Sequence, residues 1–156
     1  GLWLSFHPFN QKTYLAIVLG EFGKRTGRFE NLIGRHPVNR VKMAVVDESG
    51  KRAVTNYRVL GSSGRVSLLE VRIETGRTHQ IRVHFAHTNH PVLGDPVYGG
   101  KQHDLSVDVP RQMLHAWKLV FPHPLTGVKR EYMAPPPEDF REVLRQTGLP
   151  MIAGGD

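Results

Sequence analysis

Residues 74–100, "ETGRTHQIRVHFAHTNHPVLGDPVYGG", decide how the rest of the chain is read. The stretch opens on the end of a strand-like run and turns at Gly76. It then continues from Arg77 to Asn89 without Gly or Pro. Ile81 and Phe85 lie four apart, which predicts a helix, and Thr78 is placed to cap its start. A strand, a tight turn and a helix start aim backbone N–H groups at an anion. Arg77 and Arg82 add fixed positive charge, and each can grip a phosphate or carboxylate through two parallel hydrogen bonds. Arg82 follows Thr78 by four residues, so both are expected on one helix face. Asp95, in "LGDPVYGG", reads as a loop acid that caps or pairs with Arg82.

The histidines point elsewhere. His84 and His87 are three apart, a spacing seen in metal ligands, with His79 and His90 on either side. No carboxylate lies within the helical segment to complete a ligand set, so no metal is expected. A metal-dependent hydrolase built on His79, His84, His87 and Asp95 remains a rival reading. The chain has no cysteine, which excludes disulfides and thiol nucleophiles and fits a reducing, cytoplasmic setting. No "GxxxxGK" phosphate loop and no Ser-His-Asp arrangement is visible. With 156 residues the chain fits one domain. Lys+Arg is 21 against 14 for Asp+Glu, a net charge of +7 that favours a polyanionic partner, RNA or DNA first. No apolar run approaches the ~20 residues of a membrane-spanning helix.

Working outward, "TYLAIVLG" (13–20) reads as a buried strand. Residues 21–42, "EFGKRTGRFENLIGRHPVNRVK", read as a long, exposed, basic loop. "VKMAVVD" and "RAVTNYRVLG" are predicted strands joined as a hairpin by "DESGKR", and "RVSLLEVRIETG" is another strand. "MLHAWKLVFPHP" and "VKREYMAP" form a last strand pair around the turn "HPLTG". "PPPEDFREVLRQTG" is a short helix with Phe140, Val143 and Leu144 on one face and Gly148 as its stop. Five or six strands with two short helices give an α+β class, mostly antiparallel.

The 26 residues of "TGRTHQIRVHFAHTNHPVLGDPVYGG" resemble the signature of the RluA/RluD-type pseudouridine synthases, which isomerise uridine in ribosomal or transfer RNA. "KTYLAIVLG" is similar to that family's Lys-x-Tyr-x-Ala strand. "RHPVNRVKMAV" with "KRAVTNYRVL" resembles the strands before the signature. "LHAWKLVFPHPLTG" and "YMAPPPEDF" resemble its closing strands and helix, so the likeness runs over residues 12–145. It implies a mixed, mostly antiparallel sheet of the pseudouridine synthase fold, with the active cleft across its middle. Residues 1–148 would be the C-terminal portion of a catalytic domain and 149–156 a tail.

The implied reaction needs no cofactor: the C1′–N1 bond of uridine breaks, the uracil rotates, and C5 joins C1′. The family's catalytic aspartate sits in a His-Arg-Leu-Asp motif upstream of the Lys-x-Tyr strand. Here only "GLWLSFHPFNQ" precedes Lys12 and the first methionine is Met43, so the nucleophile is expected on an upstream part of a longer protein. The resemblance gives Tyr14 two roles, stacking on the target base and taking the C5 proton. It gives Arg82 the pairing with the catalytic aspartate. Arg77, Thr78, His79 and Gln80 would stand near the flipped nucleotide or its phosphate, and Ile81 and Leu69 would line the uracil pocket. Arg35, Arg40 and Lys42 would supply salt-dependent RNA affinity. Half a sheet exposes an edge, so the isolated chain is expected to be unstable, to self-associate, or to need the remainder. A non-catalytic basic RNA-binding module is the main alternative.

Overall fold

The computed structural model describes residues 11–99 and 107–152. Its centre is a seven-stranded sheet: β1 (Gln11–Leu19), β2 (Thr26–Arg35), β3 (Met43–Val46), β4 (Lys51–Ser63), β5 (Val66–Ile73), β6 (Leu114–Pro122) and β7 (Lys129–Met133). The strand order is β3-β2-β4-β5-β1-β6-β7. Each of these neighbouring pairs is antiparallel. Two helices complete the described residues, α1 (Gln80–His87) and α2 (Glu138–Thr147).

Side chains alternate across a strand, so each strand feeds two faces. β1 and β5 are apolar on both faces because both faces are covered. Ala16, Val18, Leu69 and Val71 pack under Ile81 and Phe85 of α1. Leu15, Ile17, Val66 and Leu68 pack under Phe140, Val143 and Leu144 of α2. Phe85 and Phe140 are fully buried, and each contributes about 1.5–3 kcal/mol by leaving water. The Phe85 ring meets Phe29 and Tyr57 edge-on at 5.2 and 5.4 Å, which fixes α1 over β2 and β4.

Residues 21–42 are not one long loop. Most of them form β2, whose outward Arg28 and Glu30 exchange ion pairs with Glu74 and Arg52 while Phe29 and Ile33 face inward. Gly27 is required where the Tyr57 ring lies against the strand, since a Cβ there would come within 2.3 Å of it. "DESGKR" makes a turn but no hairpin: β3 and β4 both pair with β2, which lies between them. The "HPLTG" turn does join neighbours, and His123 Nδ1 accepts the N–H groups of Leu125 and Thr126. Gly148 ends α2 in the left-handed conformation, as its sequence predicts. The expected tail, however, begins inside the core, because Leu149 is buried against the α2 cluster. Residues 153–156 of that tail, and 100–106 of the loop after α1, lie outside the described residues.

Candidate active cleft

α1 starts later than its sequence suggests. Thr78 makes no capping bond; His79 stands before the first turn in the left-handed region (φ 55, ψ 25), and the helix begins at Gln80. Thr78 and Arg82 therefore do not share a helix face. The reason is Gln80, whose amide organises the turn. Its Oε1 accepts from Thr75 Oγ1 at 2.8 Å and from the Arg77 N–H at 3.0 Å. Its Nε2 donates to Val54 O at 2.8 Å and Thr55 Oγ1 at 2.9 Å. Gln80 is buried and fully committed within the protein, so its side chain holds the turn and is not free to contact RNA.

The polar chain continues inward. Asn31 Oδ1 can only accept, so His84 carries its proton on Nε2 and donates to it at 2.6 Å. His84 Nδ1 is then an acceptor, and Thr55 Oγ1, which accepts from Gln80, gives it the hydroxyl proton at 2.7 Å. Burial, with His87 nearby, lowers the His84 pKa to about 4, so the ring is neutral near pH 7. The ligand set of the hydrolase reading is not brought together: both nitrogens of His84 are engaged and His87 is exposed. Among the described residues no three His, Asp or Glu side chains converge to hold a metal ion.

Asp95 is the partner of Arg82. Arg82 Nε donates to Oδ2 and Nη2 to Oδ1, both at 2.8 Å, and Oδ1 also accepts the N–H groups of Val97 and Tyr98. The Asp95 side chain is 0% exposed and that of Arg82 12%, so this is a buried bidentate pair. Burial pushes the Asp95 carboxyl up, but Arg82 and the two backbone donors outweigh it and hold it below the usual range. Tyr98, from the same loop, lies with its ring 5.2 Å from the Arg82 guanidinium and 5.4 Å from Lys42 Nζ. Arg82 Nη1 has no hydrogen-bond partner among the described residues.

These elements wall a cleft of about 380 Å³ at the end of β1. Lys12, Tyr14 and Leu114 from the strands line it together with Ile73, Arg77, His79, Ile81 and Arg82. Tyr14 is half-buried there, and desolvation raises its pKa. Arg77 donates its Nε to Arg52 O, and no carboxylate pairs with it among the described residues. Leu69 does not line the cleft: it is fully buried four residues along β5 from Ile73, packed with Phe85. A second groove, shared through Gly76 and Arg77, adds Thr78, Arg35 and Lys51, and a third adds Arg40 beside Arg35. Lys12 and Leu114 line the cleft without having been expected there. Lys12 could have been found from its two-residue spacing to Tyr14 on one strand face; Leu114 arrives only through its register opposite Ala16.

The antiparallel sheet thus carries one cleft that joins a tyrosine, a buried ion-paired arginine and the cations Lys12 and Arg77. Residues 6–87 match the family described as RNA pseudouridylate synthase. An "Uncharacterized RNA pseudouridine synthase" of Chloroflexus aurantiacus is 48% identical over 136 residues, 87% of this chain and 42% of that protein. "Ribosomal large subunit pseudouridine synthase D" of Nitrosomonas europaea is 46% identical over 140 residues, 86% of this chain and 40% of that protein. The solved structure titled "Human RNA Pseudouridylate Synthase Domain Containing 1" superposes with a TM-score of 0.71 at 30% identity, covering 83% of this chain and 56% of that one. The chain belongs to the RNA pseudouridylate synthase family. It spans about two-fifths of the length of the two sequence relatives.

Proposed function

We propose that this chain supplies the tyrosine–arginine wall of an active cleft that isomerises uridine to pseudouridine in ribosomal or transfer RNA. The observation that carries the reading is the meeting of Tyr14 and Arg82 in one cleft rimmed by Lys12 and Arg77. A flipped uridine needs a flat ring to lie on and cations for its phosphates, and both are present. Tyr14 stacks on the base and takes the proton leaving C5. Arg82, with Nε and Nη2 fixed by Asp95, keeps Nη1 for the carboxylate of the aspartate nucleophile, which stands on a part of the protein outside these residues. Arg77 and Thr78, followed by Arg35, Arg40 and Lys42, hold the flanking phosphates.

The name of the Nitrosomonas relative makes large-subunit ribosomal RNA the first substrate to test. The test is tritium release from RNA labelled at uridine C5, using the full product of the gene. Release is expected. Silence on both ribosomal and transfer RNA, with binding retained, would leave a non-catalytic RNA-binding module.

A further inference from the structure

His79 is the cleft residue whose geometry the roles of Tyr14 and Arg82 leave unexplained. It lines the cleft in the left-handed region, which a non-glycine residue seldom adopts and keeps only when its surroundings hold it there. Strain of this kind concentrates at functional sites. Part of what imposes it comes from outside the turn. Tyr98 Oη meets His79 Nδ1 at 2.8 Å, with the two rings edge to face at 5.5 Å. The same Oη accepts the N–H of Met43 at 3.0 Å. Tyr98 thus ties the start of β3 to the start of α1.

Having accepted the Met43 N–H, the phenol still has its one proton to give, and a bond from Tyr98 Oη–H to His79 Nδ1 selects the Nε2–H tautomer of the imidazole. The proton of the neutral imidazole is then on Nε2, which has no partner among the described residues. Desolvation, helped by the charge on Arg82, lowers the His79 pKa against the pull of Asp95, so the ring is neutral at pH 7. Lys12, Arg77 and Arg82 already offer charge to phosphates around the cleft. What His79 adds is a neutral, directional N–H.

We propose that His79 Nε2–H donates to a carbonyl oxygen of the uracil in the cleft, and that Tyr98 is the positioning residue that sets His79 in the tautomer and backbone conformation to do so. The inference rests on the isomerase reading above and adds how the base is recognised. Uracil offers carbonyl acceptors at O2 and O4, whereas cytosine carries an amino donor at position 4, so a donor aimed at O4 favours uracil over cytosine.

The test uses the full gene product and an RNA that the wild type modifies. Tritium release is measured for wild type, H79A, H79Q, Y98F and the double variant H79A/Y98F. Binding is measured to the same RNA with uridine or cytidine at the target, over a salt series. Loss of one neutral hydrogen bond predicts a fall of roughly 3–10-fold in kcat/KM for H79A. H79Q can accept from Tyr98 and donate onward, so most of the rate returns. Y98F alone lowers the rate, yet adds nothing on the H79A background. If O4 is the acceptor, H79A also narrows the uridine-over-cytidine preference; if O2, the preference holds and the rate alone falls. The salt dependence does not change in either case.

A smaller salt slope in H79A would show that the bond is to phosphate and would overturn the proposal. An equal Y98F loss with and without His79 would show that Tyr98 acts through the fold alone, and would overturn its role. A wild type that releases no tritium would refute the isomerase reading itself, an outcome distinct from both.

Discussion

Replacing Asp95 by asparagine exchanges one buried oxygen for an NH2 group and removes one charge. Oδ1 would keep its three bonds, from Arg82 Nη2 at 2.8 Å, the Val97 N–H at 2.9 Å and the Tyr98 N–H at 3.1 Å. The fourth is lost, because Nδ2 would face the Arg82 Nε–H, donor against donor, where Oδ2 now accepts at 2.8 Å. Arg82, 12% exposed, would be left without its counter-ion. Removing one partner of a buried pair costs about 3–5 kcal/mol, and the three retained bonds place D95N at the low end. A loss of about 3 kcal/mol lowers Tm by roughly 6–12 °C in a domain of about 150–250 residues, and by less in a longer chain that unfolds as one unit.

The sign of the pH dependence follows from the lowered carboxyl pKa. A depressed acid stabilises the fold fully above its unfolded pKa of about 3.9 and loses that stabilisation as pH falls through the folded value. The gap between wild type and D95N should therefore be constant near pH 7 and close only in strong acid. Thermal unfolding of the full gene product across pH reads both quantities. A D95N loss below about 1 kcal/mol at pH 7 would refute the buried-pair reasoning.

Three further expectations come from neighbouring features. The depressed His84 pKa means that the unfolded chain takes up a proton below about 6.5 and the folded chain only near 4. Stability should thus fall by about 3 kcal/mol over that interval, a slope that H84Q removes and that urea unfolding at a series of pH values measures. Gly94 has φ +79, and an added Cβ would lie 2.2 Å from the Arg111 carbonyl oxygen. G94A should cost more than about 1 kcal/mol and lower turnover by shifting Asp95, as unfolding and tritium-release assays would show together. Truncating Arg35 and Arg40 to alanine should weaken RNA binding alike across sequences. It should also reduce the slope of log affinity against log salt by about 1 for each phosphate that is no longer neutralised, which a salt titration checks.

How much of the fold is legible in the sequence depends on where each residue's partner lies. β1 is legible because both of its faces are covered, so its apolar run needs no knowledge of its neighbours. β2 is not, because its outward arginine and glutamate are satisfied by Glu74 and Arg52, far away in sequence. The turn chemistry of "DESGKR" does mark a turn, but no local signal reveals that β2 inserts between the strands it joins. The start of α1 is displaced from its sequence signal because the buried Gln80 amide ties down the turn at Thr75 and Arg77, and the helix starts after His79 with no side-chain cap.

At the site, the signature brings Arg77, Ile81 and Arg82 to notice and the "KTYLAIVLG" strand brings Tyr14, and all four line one cleft. Leu69 has the right strand parity but the wrong depth along β5, a difference that register decides and spacing does not. Tyr98 stands in view in "LGDPVYGG", yet its bonds to Met43 and His79 exist only once the loop folds back over β3.

The most direct test of the central claim, that uridine is isomerised against Tyr14, is tritium release by the full gene product carrying Y14F, beside wild type and a Y132F control on exposed β7. Loss of a proton-transfer group predicts a rate at least about 100-fold below wild type for Y14F, with RNA binding retained through the ring, and an unchanged rate for Y132F. Wild-type release from Y14F would contradict the account.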